Sequence, residues 1–186
     1  AGHKVVDVSL EALRHALAVY YIIMPAEVSS NMARFDGVRY GLHVKGETGI
    51  QNYYKSRAAG FGKEVRRRIL LGTHVLSSGY YDAYYGKAMR ARTYITQEVE
   101  NVLQQVDAIA TPTTPTPAFK IGEKTSDPLT MYLEDIFTVP ANIAGVPAIS
   151  VPCGTREGKT LPVGIQLMGR KTDEKTLFAI ATLLQV

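Results

Sequence analysis

The sequence predicts an α/β fold. Short β-prone runs at His3–Leu10, Ala108–Ala110, Ala148–Val151 and Val163–Met168 alternate with longer segments in which apolar residues recur every three or four positions. Hydrophobic residues make up 46% of the 186 and charged residues 20%, a balance that suits a packed globular domain. The most apolar run, Val19–Pro25, falls far short of the roughly 20 residues a membrane-spanning helix requires. With no charged-then-apolar leader at the start, the expectation is a soluble, intracellular protein.

Taken in order, the valine-rich stretch His3–Leu10 predicts a short strand, with Ser9 a candidate cap for the next element. From Glu11, the spacing of Leu13, Leu17, Tyr20, Tyr21 and Met24 is helical, and Pro25 is expected to interrupt it. Val19–Met24 suits a buried strand equally well, and periodicity does not decide between the two. Ser29-Ser30-Asn31 is expected to open a second short segment, and Asp36-Gly37 to turn the chain. Residues 44–60 are polar and weakly patterned. Gly62–Leu76 predicts a helix burying Val65, Ile69, Leu70 and Val75, ended at Ser78-Gly79. Tyr80–Val106 is the longest helix expected, with Gly86 its weak point.

Ala108–Ala110 then predicts a small buried strand. It leads into Thr111–Pro117, where four threonines and three prolines exclude a helix and predict a rigid surface or lining loop. Pro128–Phe137 reads as a helix with Pro128 in its first turn. Ala148–Val151 and Val163–Met168 read as strands about a turn at Gly154–Lys159, and Asp173–Leu184 as an amphipathic helix. No repeat or low-complexity linker interrupts the pattern. Both ends are abrupt, so the chain reads as a piece of a larger domain.

Several chemistries are disfavoured. Cys153 is the only cysteine, which precludes an internal disulfide and fits a reducing compartment; between Pro152 and Gly154 it is expected to be a small buried residue rather than a nucleophile. The net charge of +4 is spread along the chain. Its one dense cluster, Arg66-Arg67-Arg68, sits inside a helical pattern, which is a poor nucleic-acid footprint. Gly154–Thr160 looks superficially like a phosphate loop, but only three residues separate Gly154 from Gly158 and a strand-like run follows Leu161-Pro162, so a hairpin turn is expected. His3, His15, His43 and His74 fall in separate segments without metal-ligand spacing. Ser77-Ser78-Gly79 is expected to end a helix.

Three polar residues stand in apolar settings: Tyr20 in the Val19–Met24 run, Arg68 closing the basic triplet, and Asp135 within Met131–Phe137. A buried ion must be paired. Either Arg68 and Asp135 lie at the surface or in structural ion pairs, or they hold a zwitterion, arginine taking a carboxylate and aspartate an ammonium. The residues alone leave both readings open.

Blocks along the whole chain resemble a known family. Tyr20–Asn31, Arg34–Gly41, Gly60–Ile69, Leu76–Tyr85, Asp127–Tyr132, Asn142–Gly154 and Pro162–Gly169 are similar, in order, to the A subunits of Glu-tRNA(Gln)/Asp-tRNA(Asn) amidotransferases, which are amidase-signature enzymes. The later blocks recur across that broader family; the first four are more particular to the amidotransferases. The resemblance implies that residues 1–186 form the C-terminal portion of a single amidase-signature domain, a mixed β-sheet wrapped by helices. The family's serine nucleophile, bridging serine and lysine base belong to the N-terminal portion, so no catalytic residue is carried over. Tyr20, Arg68 and Asp135 match the positions that hold glutamine.

The resemblance further implies release of ammonia from glutamine for ATP-dependent amidation of misacylated tRNA, in complex with a B subunit plus a small C subunit. ATP and Mg are expected on the partner subunit, tRNA is engaged through the complex, and this chain itself carries no cofactor. The setting implied is the bacterial cytoplasm or an organelle, without a membrane. A stand-alone amidase-signature hydrolase of another amide and a non-catalytic assembly module are the alternatives.

Overall fold

The computed structural model describes residues 2–124, 127–155 and 161–184. The chain forms two compact units, one of residues 1–19 with 90–186 and one of residues 20–89. Helix α1 spans Ala16–Met32, α2 Gly49–Gly60, α3 Lys63–Val75 and α4 Lys87–Leu103. Strand β1 (Ile109–Pro112), helices α5 (Pro128–Leu133) and α6 (Val139–Ala144), strands β2 (Ala148–Thr155) and β3 (Pro162–Met168), and helix α7 (Glu174–Leu184) follow. Among the described residues no helix is long and apolar enough to cross a membrane.

The first unit is built on a three-stranded sheet in the order β1-β3-β2, antiparallel at both pairings. Alternation along β3 divides its core in two. Met168 packs with Val99, Leu103, Ile109, Ala141, Ala144 and Val146, joining the end of α4 to α6. Its neighbour Leu167 packs with Val151, Leu177 and Ala181, which places α7 over the other group. Arg170 donates from Nε to the Leu103 carbonyl (2.8 Å) and from Nη2 to the Val106 carbonyl (2.9 Å), closing the C-terminal end of α4. The α/β reading therefore stands, with these three strands antiparallel.

The second unit is helical. α1 runs straight through Pro25, and Ser29-Ser30-Asn31 finish that helix instead of opening another. A proline inside a helix costs about 3 kcal/mol. Here Val19, Ile23, Pro25 and Ala26 are all buried, and that packing outweighs the lost hydrogen bond. Val19–Met24 is accordingly helix, not strand. The polar stretch 44–60 contains α2, which the weak apolar pattern did not reveal. Its signature is a cap: Thr48 accepts the Gln51 amide at 3.2 Å, while Gln51 Oε1 accepts the Glu47 amide at 2.8 Å.

Other expectations change as well. His3–Leu10 forms no strand or helix, and Val5 is 87% exposed. Ser9 does not cap; Leu10 holds the position before the 3-10 turn Glu11–His15, and Ser9 Oγ donates to the Glu11 carboxylate. Leu70 faces outward, with Gly72 and Val75 forming the buried side of α3. The long helix expected from Tyr80 begins as a π-helical turn, Tyr81–Gly86, and ends at Leu103. The helix expected over Pro128–Phe137 stops at Leu133, so Asp135 lies in the turn before α6. Cys153 is exposed: β2 loses its regular register after Pro152, and the strand beyond leaves the core. Residues 156–160, within the expected turn and the rejected phosphate loop, lie outside the described residues.

Candidate functional site

Two of the three residues singled out in the sequence lie in the helical unit. There α1 and α3 approach closely at Gly72, where a Cβ would come within 1.8 Å of the Pro25 carbonyl oxygen. Only a residue without a side chain fits. One turn earlier on α3, that approach lays Arg68 against α1, where Tyr21 and Met24 share a face at helical spacing.

Arg68 is held on several sides. Its Nε donates to Glu64 Oε1 at 2.8 Å, Nη1 lies 3.5 Å from Met24 Sδ, and the guanidinium carbon sits 5.5 Å from the centre of the Tyr21 ring. The other Glu64 oxygen accepts from Arg67 Nη1 at 2.5 Å. The Arg68 side chain is 24% exposed and that of Glu64 43%, so the pair sits at the rim of the unit. An i,i+4 pair so placed contributes only about 0.5 kcal/mol to stability. Its larger effect is to orient the guanidinium. Tyr20, half-buried, stands edge-on to Tyr21 with ring centres 5.3 Å apart, so Tyr21 links Tyr20 to Arg68.

Asp135 belongs to the other unit. It is exposed and pairs with no cation among the described residues. Its carbonyl accepts from the Thr138 and Val139 amides at 3.1 and 3.0 Å, which fixes the turn into α6. The preceding residue anchors it. Glu134 accepts from Thr116 Oγ1 at 2.9 Å and pairs with Lys124, and both partners of that pair are about 15% exposed or less. The Lys124 ammonium also lies 4.7 Å from the centre of the Phe119 ring. The Lys124 hydrogen bond, strengthened by the one from Thr116, holds the Glu134 carboxyl below its usual range against a smaller opposing effect of burial. At the start of α5, Asp127 caps the helix through the Leu129 and Thr130 amides; its pKa is lowered first by the Thr130 hydroxyl and then by the Leu129 amide.

The Thr/Pro loop lines a cavity of about 610 Å³ together with Cys153, Val163 and Ile165, in keeping with the rigid lining loop that its composition predicts. The Cys153 thiol faces the Val163 carbonyl at 3.6 Å. Among the described residues, no three His, Cys, Asp or Glu side chains converge as metal ligands.

A family model described as amidase matches residues 1–178. The chain belongs to the amidase family. The A subunit of the glutamyl-tRNA(Gln) amidotransferase of Geobacillus thermodenitrificans is 58% identical over 176 residues, covering 94% of this chain and 36% of that protein. The protein of the same name from Azorhizobium caulinodans is 58% identical over 187 residues, covering 100% of this chain and 38% of its own length. In three dimensions the chain is similar to the crystal structure of the corresponding Thermotoga maritima protein, with 47% identity and a TM-score of 0.65, covering 94% of this chain and 32% of that one. This amidase-family chain thus spans about a third of the length of these relatives, and its fold is that of amidase-signature structures.

Sequence reasoning missed the residues that hold the site residues in place. Glu64 was legible, because it lies four positions before Arg68 on a predicted helix. Tyr21 and Met24 show in the sequence only as apolar positions at helical spacing. Lys124 and Glu134, ten apart on either side of α5, left no signal in the sequence.

Proposed function

We propose that this chain is the glutamine-holding part of the glutaminase subunit of a tRNA-dependent amidotransferase. The supporting observation is 58% identity along essentially its whole length to subunits of that name. In this reading Arg68 takes the α-carboxylate of glutamine through its planar fork and Asp135 takes the α-ammonium, helped by Tyr20. Neutralising the two charged ends leaves the side-chain amide as the part directed toward the chemistry.

The chemistry itself belongs to residues outside this chain. A serine attacks the side-chain amide carbon, the C–N bond breaks, and ammonia leaves as a proton is delivered to the nitrogen. Water then hydrolyses the acyl-enzyme to glutamate. Ammonia passes to a B subunit, which binds ATP and Mg and amidates Glu-tRNA(Gln) or Asp-tRNA(Asn), with a small C subunit completing the assembly. Tyr20, Arg68 and Asp135 bind and orient glutamine and transfer no proton.

The test is isothermal titration of L-glutamine into the full-length protein that carries this chain, wild type beside Arg68→Ala. Loss of binding in the variant supports the reading. Equal binding in both, or none in a folded wild type, transfers the proposal to a hydrolase of another amide.

A further inference from the structure

We infer that Gln166 is a positioning residue for Asp135, holding the turn from which that carboxylate meets the ammonium of an amino acid. The inference rests on the glutamine-holding role proposed above and adds the group that fixes Asp135 from the side of the sheet. Gln166 is the one polar residue of β3 and is only 4% exposed. Alternation puts it on the same face of β3 as Met168, which packs on Ala141 and Ala144 of α6. With α6 on that face, the turn leading into it from Asp135 is brought to Gln166.

Both N–H groups of the buried amide are used. Nε2 donates to the Phe137 carbonyl at 2.7 Å and to Thr111 Oγ1 at 3.1 Å. A carbonyl only accepts, so the NH2 end is the one that faces Phe137. Thr111 is the cross-strand neighbour of Gln166 on β1, so one side chain ties the turn to two strands. Asp135 is thereby bracketed: Glu134 before it is held by Thr116 and Lys124, and Phe137 after it by Gln166. A buried amide is tolerated only when hydrogen-bonded, and an apolar residue would fill the position without that demand. What the amide adds is a fixed place for the turn. Gln166 acts through Asp135 and touches no reacting atom.

The experiment measures steady-state glutaminase kinetics of the assembled enzyme that carries this chain, with wild type, Gln166→Met, Thr111→Val and Asp135→Ala. Substrates are L-glutamine and glutaramate, which keeps the carboxylate and the reacting amide but has no α-ammonium. Gln166→Met conserves volume and removes both donors. Its glutamine KM is expected to rise about tenfold with kcat little changed, short of the roughly hundredfold that a misplacement of about 1 Å can cost, since Glu134 still holds the other side. The glutaramate KM stays at the wild-type value. Thr111→Val removes one acceptor and leaves Gln166 in place, so the glutamine KM alone should rise about threefold. That variant decides the matter if Gln166→Met does not fold.

Equal increases for both substrates would reduce Gln166 to a structural strand residue and overturn the inference. An unchanged glutamine KM in every folded variant of Gln166 and Thr111, with Asp135→Ala raising it, overturns this inference alone. An unchanged glutamine KM in Asp135→Ala overturns the glutamine-holding role of Asp135 itself.

Discussion

Gly72 of α3 and the carbonyl of Pro25 in α1 meet so closely that a methyl group at position 72 would sit 1.8 Å from the Pro25 oxygen and 2.4 Å from its carbon. Both atoms belong to backbone inside a packed helix, so neither moves aside without shifting α1. This contact also sets Arg68, one turn earlier, against Tyr21 and Met24. Gly72→Ala gains about 1 kcal/mol in helix propensity. Overpacking costs about 1–3 kcal/mol and more where backbone must move, so the net effect is destabilising. Urea unfolding of the full-length protein should show a lower midpoint, and glutamine binding should weaken with it. A variant as stable as wild type would mean that the two helices do not meet in this way.

Arg68→Ala and Asp135→Ala should each raise the glutamine KM strongly in the assembled enzyme, since removing one member of a charge-assisted pair costs roughly 2–5 kcal/mol. Arg68→Lys should recover little, because an ammonium restores the charge but not the planar fork. Wild-type KM values in both alanine variants would remove the site assignment.

Glu134 makes stability depend on pH in a defined direction. Its carboxyl titrates below the usual range because Lys124 and Thr116 hydrogen-bond the ionised form. The stabilisation is therefore fully present above the unfolded-state pKa, roughly pH 4, and is lost as pH falls through the lower folded-state value. Asp127, also lowered, acts in the same direction at the start of α5. Thermal melts between pH 6 and pH 3, values chosen to bracket roughly the carboxylate range, should show Glu134→Gln less stable than wild type at the upper end, with the difference closing as the solution is acidified. A difference that persists at the acid end would assign the loss to packing instead of charge.

Cys153 supplies a direct test of the strand geometry. It is exposed at the irregular end of β2, and its side chain lines the cavity under the Thr/Pro loop. Under native conditions a maleimide should add one equivalent to the 186-residue chain, read by mass spectrometry before and after denaturation. Labelling only after denaturation would restore the buried placement expected from the sequence.

Much of the fold was legible residue by residue. The periodicity of Gly62–Leu76 and Asp173–Leu184, the turn at Asp36-Gly37 and the two apolar strands all reflect local rules, and each has its counterpart in the structure. The reading of 44–60 failed because α2 is specified by its Thr48 cap more than by an apolar face. The strand reading of His3–Leu10 failed because valine content favours extension but a strand also needs a partner ladder.

The sequence by itself determined the α/β class, the order of most elements and the family resemblance that singled out Tyr20, Arg68 and Asp135, because these depend on neighbours within a few positions. Only the tertiary structure decided that α1 continues through Pro25, that Gly72 is the contact point of α1 and α3, that Glu64 and Tyr21 direct Arg68, and that Asp135 lies on an exposed turn anchored by Glu134. Apart from the Glu64–Arg68 pair, those outcomes rest on contacts between residues ten or more positions apart. There burial and backbone approach outweigh local propensities of about 1 kcal/mol or, for proline, about 3 kcal/mol.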